Sequence, residues 1–140
     1  MIDQKTTIDI ALDVSRAIAS LEIAARGHDL LDEGFRYHGP AGMELDRDGY
    51  IGFMAGLGAA FPDMSMTFEP VISDGDKVGV HWRNQFTHQG AYMGVAPTGK
   101  TLILTGTFIR RVASGRVAEE WDTTDIFGLA GQLGLIPGQG

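Results

Sequence analysis

The chain has 140 residues, 44% of them hydrophobic, with no cysteine and a formal net charge of -7 from 18 acidic and 11 basic side chains. That length suits a single domain, expected over residues 1–140, whose core withdraws roughly two thirds of the unfolded surface from water. The acidic balance and the lack of any Lys/Arg run exclude the footprint of a nucleic-acid binder, and the missing thiols exclude disulfides, a cysteine nucleophile and thiolate metal sites.

The N-terminal segment MIDQKTTID is acidic where a signal peptide is positive, and no apolar run approaches a membrane span, so a cytoplasmic protein with no membrane partner is expected. Ile10, Val14, Ala17, Ile18, Leu21, Ala24 and Ala25 then recur at intervals of three and four, opposite Asp9, Asp13, Arg16 and Ser20. This periodicity predicts one amphipathic helix from Ile8 to Ala25, capped by Thr6 or Thr7 and ended by a left-handed Gly27. Phe35 to His38 leaves room for a short strand before the breaker cluster Gly39 to Gly42.

A second helix is predicted from Asp46 to Phe61, with Tyr50, Phe53, Met54 and Leu57 as its stripe and Pro62 as its stop. Its glycines at 49, 52, 56 and 58 each cost about 1 kcal/mol against alanine, which calls for close packing or for a mobile lid. From Met64 the period becomes two. Met64, Met66 and Phe68 alternate with polar residues, a turn falls at Ser73 to Asp76, and Val78, Val80, Trp82, Asn84 and Phe86 share one face of the next strand. After a Gly- and Pro-punctuated loop, Leu102, Leu104, Gly106 and Phe108 share a face of a third strand, Ser114-Gly115 turns the chain, and Val117 to Thr124 forms a fourth. Helices followed by such a meander specify an α+β fold, a curved antiparallel sheet wrapped around N-terminal helices.

Glu120 and Asp122 are two residues apart, so a strand presents both on one face and lets two carboxylates share a pocket. His88 lies in the Gly/Pro loop and reads as a residue that holds the loop by a hydrogen bond. The spacing of His38, His81 and His88 matches no metal site, and the loop matches neither the dinucleotide nor the Walker pattern, so no metal or organic cofactor is expected.

The short F-x-Y-H segment, Phe61-Pro62-Asp63, Gly75-Asp76-x-Val78, Thr87-His88-x-Gly90, Ala96-Pro97-Thr98-Gly99-Lys100, Gly115-Arg116-Val117, Glu120-Trp121 and Gln132-Leu133-Gly134 together resemble the SnoaL-like polyketide cyclases over nearly the whole chain. That family belongs to the nuclear transport factor 2-like superfamily, so the resemblance implies its cone-shaped fold. It also implies an intramolecular aldol closure with Asp122 as the acid/base and Glu120 where the family often has a histidine. The cyclases of established activity that the chain resembles carry a polar pair, including a histidine, on the strand facing the aspartate; here that face offers Gly106 and Phe108. His38, as a further catalytic candidate, and Tyr37, Asn84 and Arg83 are the substitutes available. The patterns of two other superfamily members, limonene epoxide hydrolase and ketosteroid isomerase, are not met: Arg83-Asn84-Gln85 stands at the nearest candidate for the former's Arg-x-Asp, and the first helix has no tyrosine.

These readings define a pocket for a hydrophobic small-molecule substrate, lined by Phe35, Phe53, Trp82, Phe86 and Leu104, with Tyr37, Asn84 and Phe108 also facing the ligand. They also lead us to expect a homodimer through the outer sheet face, where Ile103, Ile109 and Trp121 would otherwise meet water. A non-catalytic ligand-binding or self-association module is the alternative.

Overall fold

The computed structural model describes residues 6–137. The first five residues of the acidic N-terminal segment, and the ends of the domain expected over 1–140, lie outside them. Helix α1 (Thr7–Ala19) starts where the Thr6 side chain accepts the amide of Asp9, and its stripe of Ala11, Leu12, Val14, Ala17 and Ile18 is buried. The one helix expected from Ile8 to Ala25 is two. Leu21 adopts a left-handed conformation (φ 66°), the amides of Leu21 and Glu22 return to the carbonyls of Ile18 and Ala17, and α2 (Ile23–Leu30) follows. Leucine seldom adopts this conformation, so composition does not mark the break. Gly27, the expected terminator, sits inside α2. A Cβ there would lie 2.5 Å from the side chain of Ile51 on α3 (Arg47–Ala60), so glycine is what lets the two helices approach.

Strand β1 (Leu31–His38) is longer than the Phe35–His38 stretch expected, and β2 (Glu44–Asp46), unmarked in the sequence pattern, pairs with it. Asp46 caps α3 by accepting the amide of Gly49, and the helix closes at Phe61. Its glycines divide in purpose: Leu21 packs against Gly58, whereas Gly52 and Gly56 face open space.

The expected meander is present as β3 (Ser65–Asp74), β4 (Lys77–Thr87), β5 (Thr101–Ala113) and β6 (Arg116–Thr124). Gly75 and the Ser114-Gly115 pair take positive φ at the two tight turns. One correction concerns the sheet. Its order is β2-β1-β6-β5-β4-β3, and β1 runs parallel to β6, so the sheet is mixed and not wholly antiparallel. Hairpin signals report only on neighbours in sequence and carry no information about where an isolated early strand docks. Helix α4 (Ile126–Gln132) was also unread; Asp125 caps it, and the Gln132 side chain bonds both backbone groups of Ile103, at 2.8 and 2.7 Å, beyond the end of β6.

The sheet curves around the helices. On β4 the inward Val78, Val80, Trp82 and Phe86 are buried while His81, Arg83 and Gln85 are exposed, the alternation a one-sided sheet requires. Trp82 pairs with Gly106 on β5, and a Cβ at Gly106 would lie 2.5 Å from the Thr123 carbonyl oxygen and 2.6 Å from the indole. The absent side chain is the space the indole fills. Gly106→Ala is therefore expected to destabilise the protein by about 1–3 kcal/mol, through overpacking against backbone that cannot yield. Chemical denaturation checks this, and an unchanged midpoint would show that the sheet gives way at no cost.

Candidate functional site

Between the concave sheet face, α1 and α3 lies a cavity of about 340 Å³. Its wall is mostly apolar. Phe53 comes from α3, Trp82 and Phe86 from β4, and Leu104 and Phe108 from β5, all as expected from the periodicity. Phe35 is the exception: it points inward but lies in the core beneath the cavity, its ring 4.9 Å from that of Tyr50.

The polar groups gather at the β1/β6 end. β6 alternates, so Glu120, Asp122 and Thr124 all face the cavity while Trp121 is turned to the outside. Pairing of β1 with β6 brings Tyr37 alongside Glu120 and His38 alongside Trp121. Adjacent strand residues face opposite ways, so only one of Tyr37 and His38 reaches the cavity, and it is Tyr37. His38 is on the outer surface, stacked on Trp121 and bonded to Glu44 at 2.6 Å and Glu119 at 2.7 Å. Those hydrogen bonds, to Glu44 first, raise its pKa. The structure does not bring His38 together with Asp122.

The Tyr37 hydroxyl donates to Asp122 Oδ2 at 3.0 Å, and the Thr124 hydroxyl reaches the same oxygen at 3.3 Å. Asp122 Oδ1 is buried without a hydrogen-bond partner. Burial, with the charge of Glu120 next, raises the Asp122 carboxyl to about 6, against the pull of the Tyr37 bond and of Arg110. Burial also pushes the phenols of Tyr37 and Tyr50 upward, so both remain donors.

Glu120 has a different setting from Asp122. Its Oε1 accepts from Arg110 Nε at 2.7 Å and from the Tyr50 hydroxyl at 3.0 Å, and both members of the ion pair are fully enclosed. Arg110 donates further to the Ala11 carbonyl and the Ser15 hydroxyl of α1, at 2.6 and 2.7 Å, and its guanidinium lies 3.7 Å over the Phe108 ring. Burial opposes the arginine's charge, but Glu120 and its other neighbours outweigh it and hold the pKa high. Sequence reasoning missed Arg110, Tyr50 and Ser15. The signal was present: Arg110 shares strand parity with Leu104 and Phe108, but the Arg110-Arg111 doublet masks which of the two turns inward.

Asn84 sits at the other end of the cavity, and His88 outside it. The His88 Nδ1 accepts the Thr98 amide at 3.3 Å and lies 2.9 Å from its hydroxyl, while the His88 backbone pairs with Lys100 and Gly99. It holds the loop, as read from the sequence. Among the described residues no group of three or more His, Asp or Glu is placed to hold a metal ion.

The sequence profile of the SnoaL-like polyketide cyclase family matches residues 10–133. Among solved structures, the chain is similar to IdmH, a candidate polyketide cyclase from Streptomyces antibioticus, with 28% identity over 93% of this chain and 99% of that one (TM-score 0.83). A candidate polyketide cyclase from Acidithiobacillus ferrooxidans is 27% identical over 95% and 97% of the two chains (TM-score 0.79). AclR from Streptomyces galilaeus, a candidate hydroxylase, is 24% identical over 94% and 86% (TM-score 0.82) and shares the fold. No curated protein matches the chain.

With a folded value of about 6 above the ordinary 3.8, the folded protein holds the Asp122 proton more tightly than the unfolded chain does. The stability this carboxyl contributes is therefore complete below 3.8 and is lost as pH rises through 6. Asp122→Asn, uncharged throughout, is expected to gain on the wild type across that window, by up to about 3 kcal/mol. Unfolding of both proteins at a series of pH values measures the difference; a flat difference would mean a carboxyl that titrates as if in water.

Proposed function

We propose, on the premise that the chain belongs to the SnoaL-like polyketide cyclase family, that it is an enzyme catalysing proton abstraction beside a carbonyl of a hydrophobic substrate, leading to intramolecular aldol closure without a cofactor. The observation that carries this reading is the state of Asp122. One oxygen is held by two hydroxyls, while the other is unpartnered on the wall of an apolar cavity. A base fixed in orientation, with one lone-pair-bearing atom left for substrate and a pKa near neutrality, is the arrangement general-base chemistry uses.

In the proposed reaction Asp122 Oδ1 takes a proton from the carbon between or beside carbonyl groups. The C–H electron pair passes into the carbonyl as an enolate. The enolate carbon attacks a second carbonyl of the same molecule, forming the C–C bond, and the resulting alkoxide recovers the proton from Asp122, so the enzyme ends unchanged. Tyr37 keeps Oδ2 fixed during both transfers. Glu120, engaged with Arg110 and Tyr50, acts on Asp122 through its charge and not as a second base.

Deuterium exchange at the α-carbon of 2-tetralone in D₂O, followed by NMR, tests this step in isolation. The protein is expected to accelerate exchange, with a rate that rises with pH through about 6 as Asp122 ionises, and Asp122→Asn to lose about a hundredfold or more. One observation favours the alternative of a ligand-binding module: Tyr37, Tyr50 and Thr124 already donate their hydroxyl protons to protein carboxylates. Binding of 2-tetralone with no acceleration of exchange would establish that alternative.

We also propose that the protein is a homodimer through the outer sheet face. Ile109 and Trp121 are direct cross-strand neighbours there and are 46% and 36% exposed, with Ile103 further along β5. Sedimentation at micromolar concentration is expected to give twice the 15.0 kDa chain mass, and Ile109→Glu to give the monomer. A monomeric wild type would contradict this.

A further inference from the structure

Three buried side-chain polar atoms have no hydrogen-bond partner among the described residues, and two of them, Asp122 Oδ1 and Asn84 Oδ1, belong to residues lining the same cavity. The catalytic proposal accounts for the first and leaves the second unexplained. Asn84 lies on β4 with Trp82 and Phe86, and the partner of its amide nitrogen is the thioether sulfur of Met64 at 3.8 Å, a weak acceptor. A buried amide in this condition costs about 1–3 kcal/mol for its unsatisfied oxygen, and leucine in its place would avoid that cost.

The two residues sit far apart on the sheet. Asp122 pairs across β5 with Phe108, and Phe108 with Val80 on β4; Asn84 is four residues further along β4. Four residues of strand span about 13 Å and two strand spacings about 10 Å, so even with side chains converging on a concave face the two groups do not meet at one ligand atom. Between them the wall is Trp82 and Leu104.

We propose that Asn84 is a second polar anchor of this pocket, and that its ligand is an elongated, largely apolar molecule carrying oxygen functions at both ends, one at Asp122 and one at Asn84. This rests on the reading of the cavity as a substrate site and adds the substrate's shape. The amide offers both a carbonyl and an NH₂ and can turn over, so it takes a hydroxyl or a ketone. An oxygen seated at Asn84 fixes which α-carbon reaches Asp122. Asn84 thereby sets the register of the chain in the pocket and the position at which a ring closes.

Calorimetric titration of the full chain with biphenyl, 4-hydroxybiphenyl and 4,4′-dihydroxybiphenyl tests the anchor. The diol is expected to bind at least about fivefold more tightly than the mono-ol. Asn84→Leu is expected to reduce the diol to the affinity of the mono-ol, and Asn84→Ser, which keeps a smaller polar group, to give an intermediate value and to guard against misfolding of the leucine variant. Equal affinity for diol and mono-ol in the wild type, or a diol preference that survives both substitutions, would overturn the anchor. Exchange into 2-tetralone without any diol preference would sink the anchor alone. Failure of both exchange and binding would sink the underlying reading and the anchor with it.

Discussion

The Arg110–Glu120 ion pair is the constraint from which the site is built. Two opposite charges with 3% and 2% side-chain exposure have given up their hydration, at several kcal/mol each, and attraction offsets that only when the remaining donors and acceptors are also filled. Partners come from four directions: β5 and β6 supply the pair, α1 supplies the Ala11 carbonyl and Ser15, and α3 supplies Tyr50. The pair therefore specifies how both helices sit on the sheet. Loss of either member would strand the other charge, a cost of about 3–5 kcal/mol. With Glu120 fixed, strand parity fixes Asp122 two residues later, and the same alternation turns Trp121 outward.

The same pair leaves the two carboxylates of the cavity in different states. Glu120 is neutralised by Arg110, yet its charge still works against ionisation of Asp122, with burial as the larger cause. Two carboxylates on one face could have been interchangeable. The structure makes them unequal by giving Glu120 the arginine and Asp122 only hydroxyls, and that inequality is what the proposed division into support and base rests on. The fold itself does not dictate a reaction, because this cone carries many chemistries; the proposed one depends on the setting of Asp122 and Tyr37.

The meander, the second helix and most of the pocket wall were legible because each follows from a local period: Trp82, Asn84 and Phe86 on one face of β4, Leu104 and Phe108 on one face of β5. What was not legible depended on contacts distant in sequence. Tyr37 and His38 are adjacent, and only the pairing of β1 with β6 decides which faces the cavity. Arg110 is one of two adjacent arginines, and its burial depends on α1, whose Ala11 and Ser15 lie almost a hundred residues earlier. The break at Leu21 had no compositional marker, whereas Gly27, which had one, turned out to serve helix approach. Phe35 was read correctly as inward and incorrectly as lining the cavity, since periodicity tells face but not depth.

The parallel contact of β1 with β6 has a consequence for the order of assembly. Every neighbour of β3, β4 and β5 in the sheet is adjacent in the chain, so that part of the sheet is built from local hairpins. Strand β1 instead bridges the three-residue β2 and a strand that begins at Arg116. Closing such a distant contact is entropically slow and needs the partner to exist. On the ribosome the N-terminal helices and β1 emerge first and wait while roughly eighty further residues are added, several seconds at usual synthesis rates. Throughout that interval Leu31, Arg36, Tyr37 and His38 lack their partners on β6, while the helices that pack on β1 are already made. The last strand to be made completes the first, and the polar end of the cavity, where Tyr37 meets Asp122, cannot form before it.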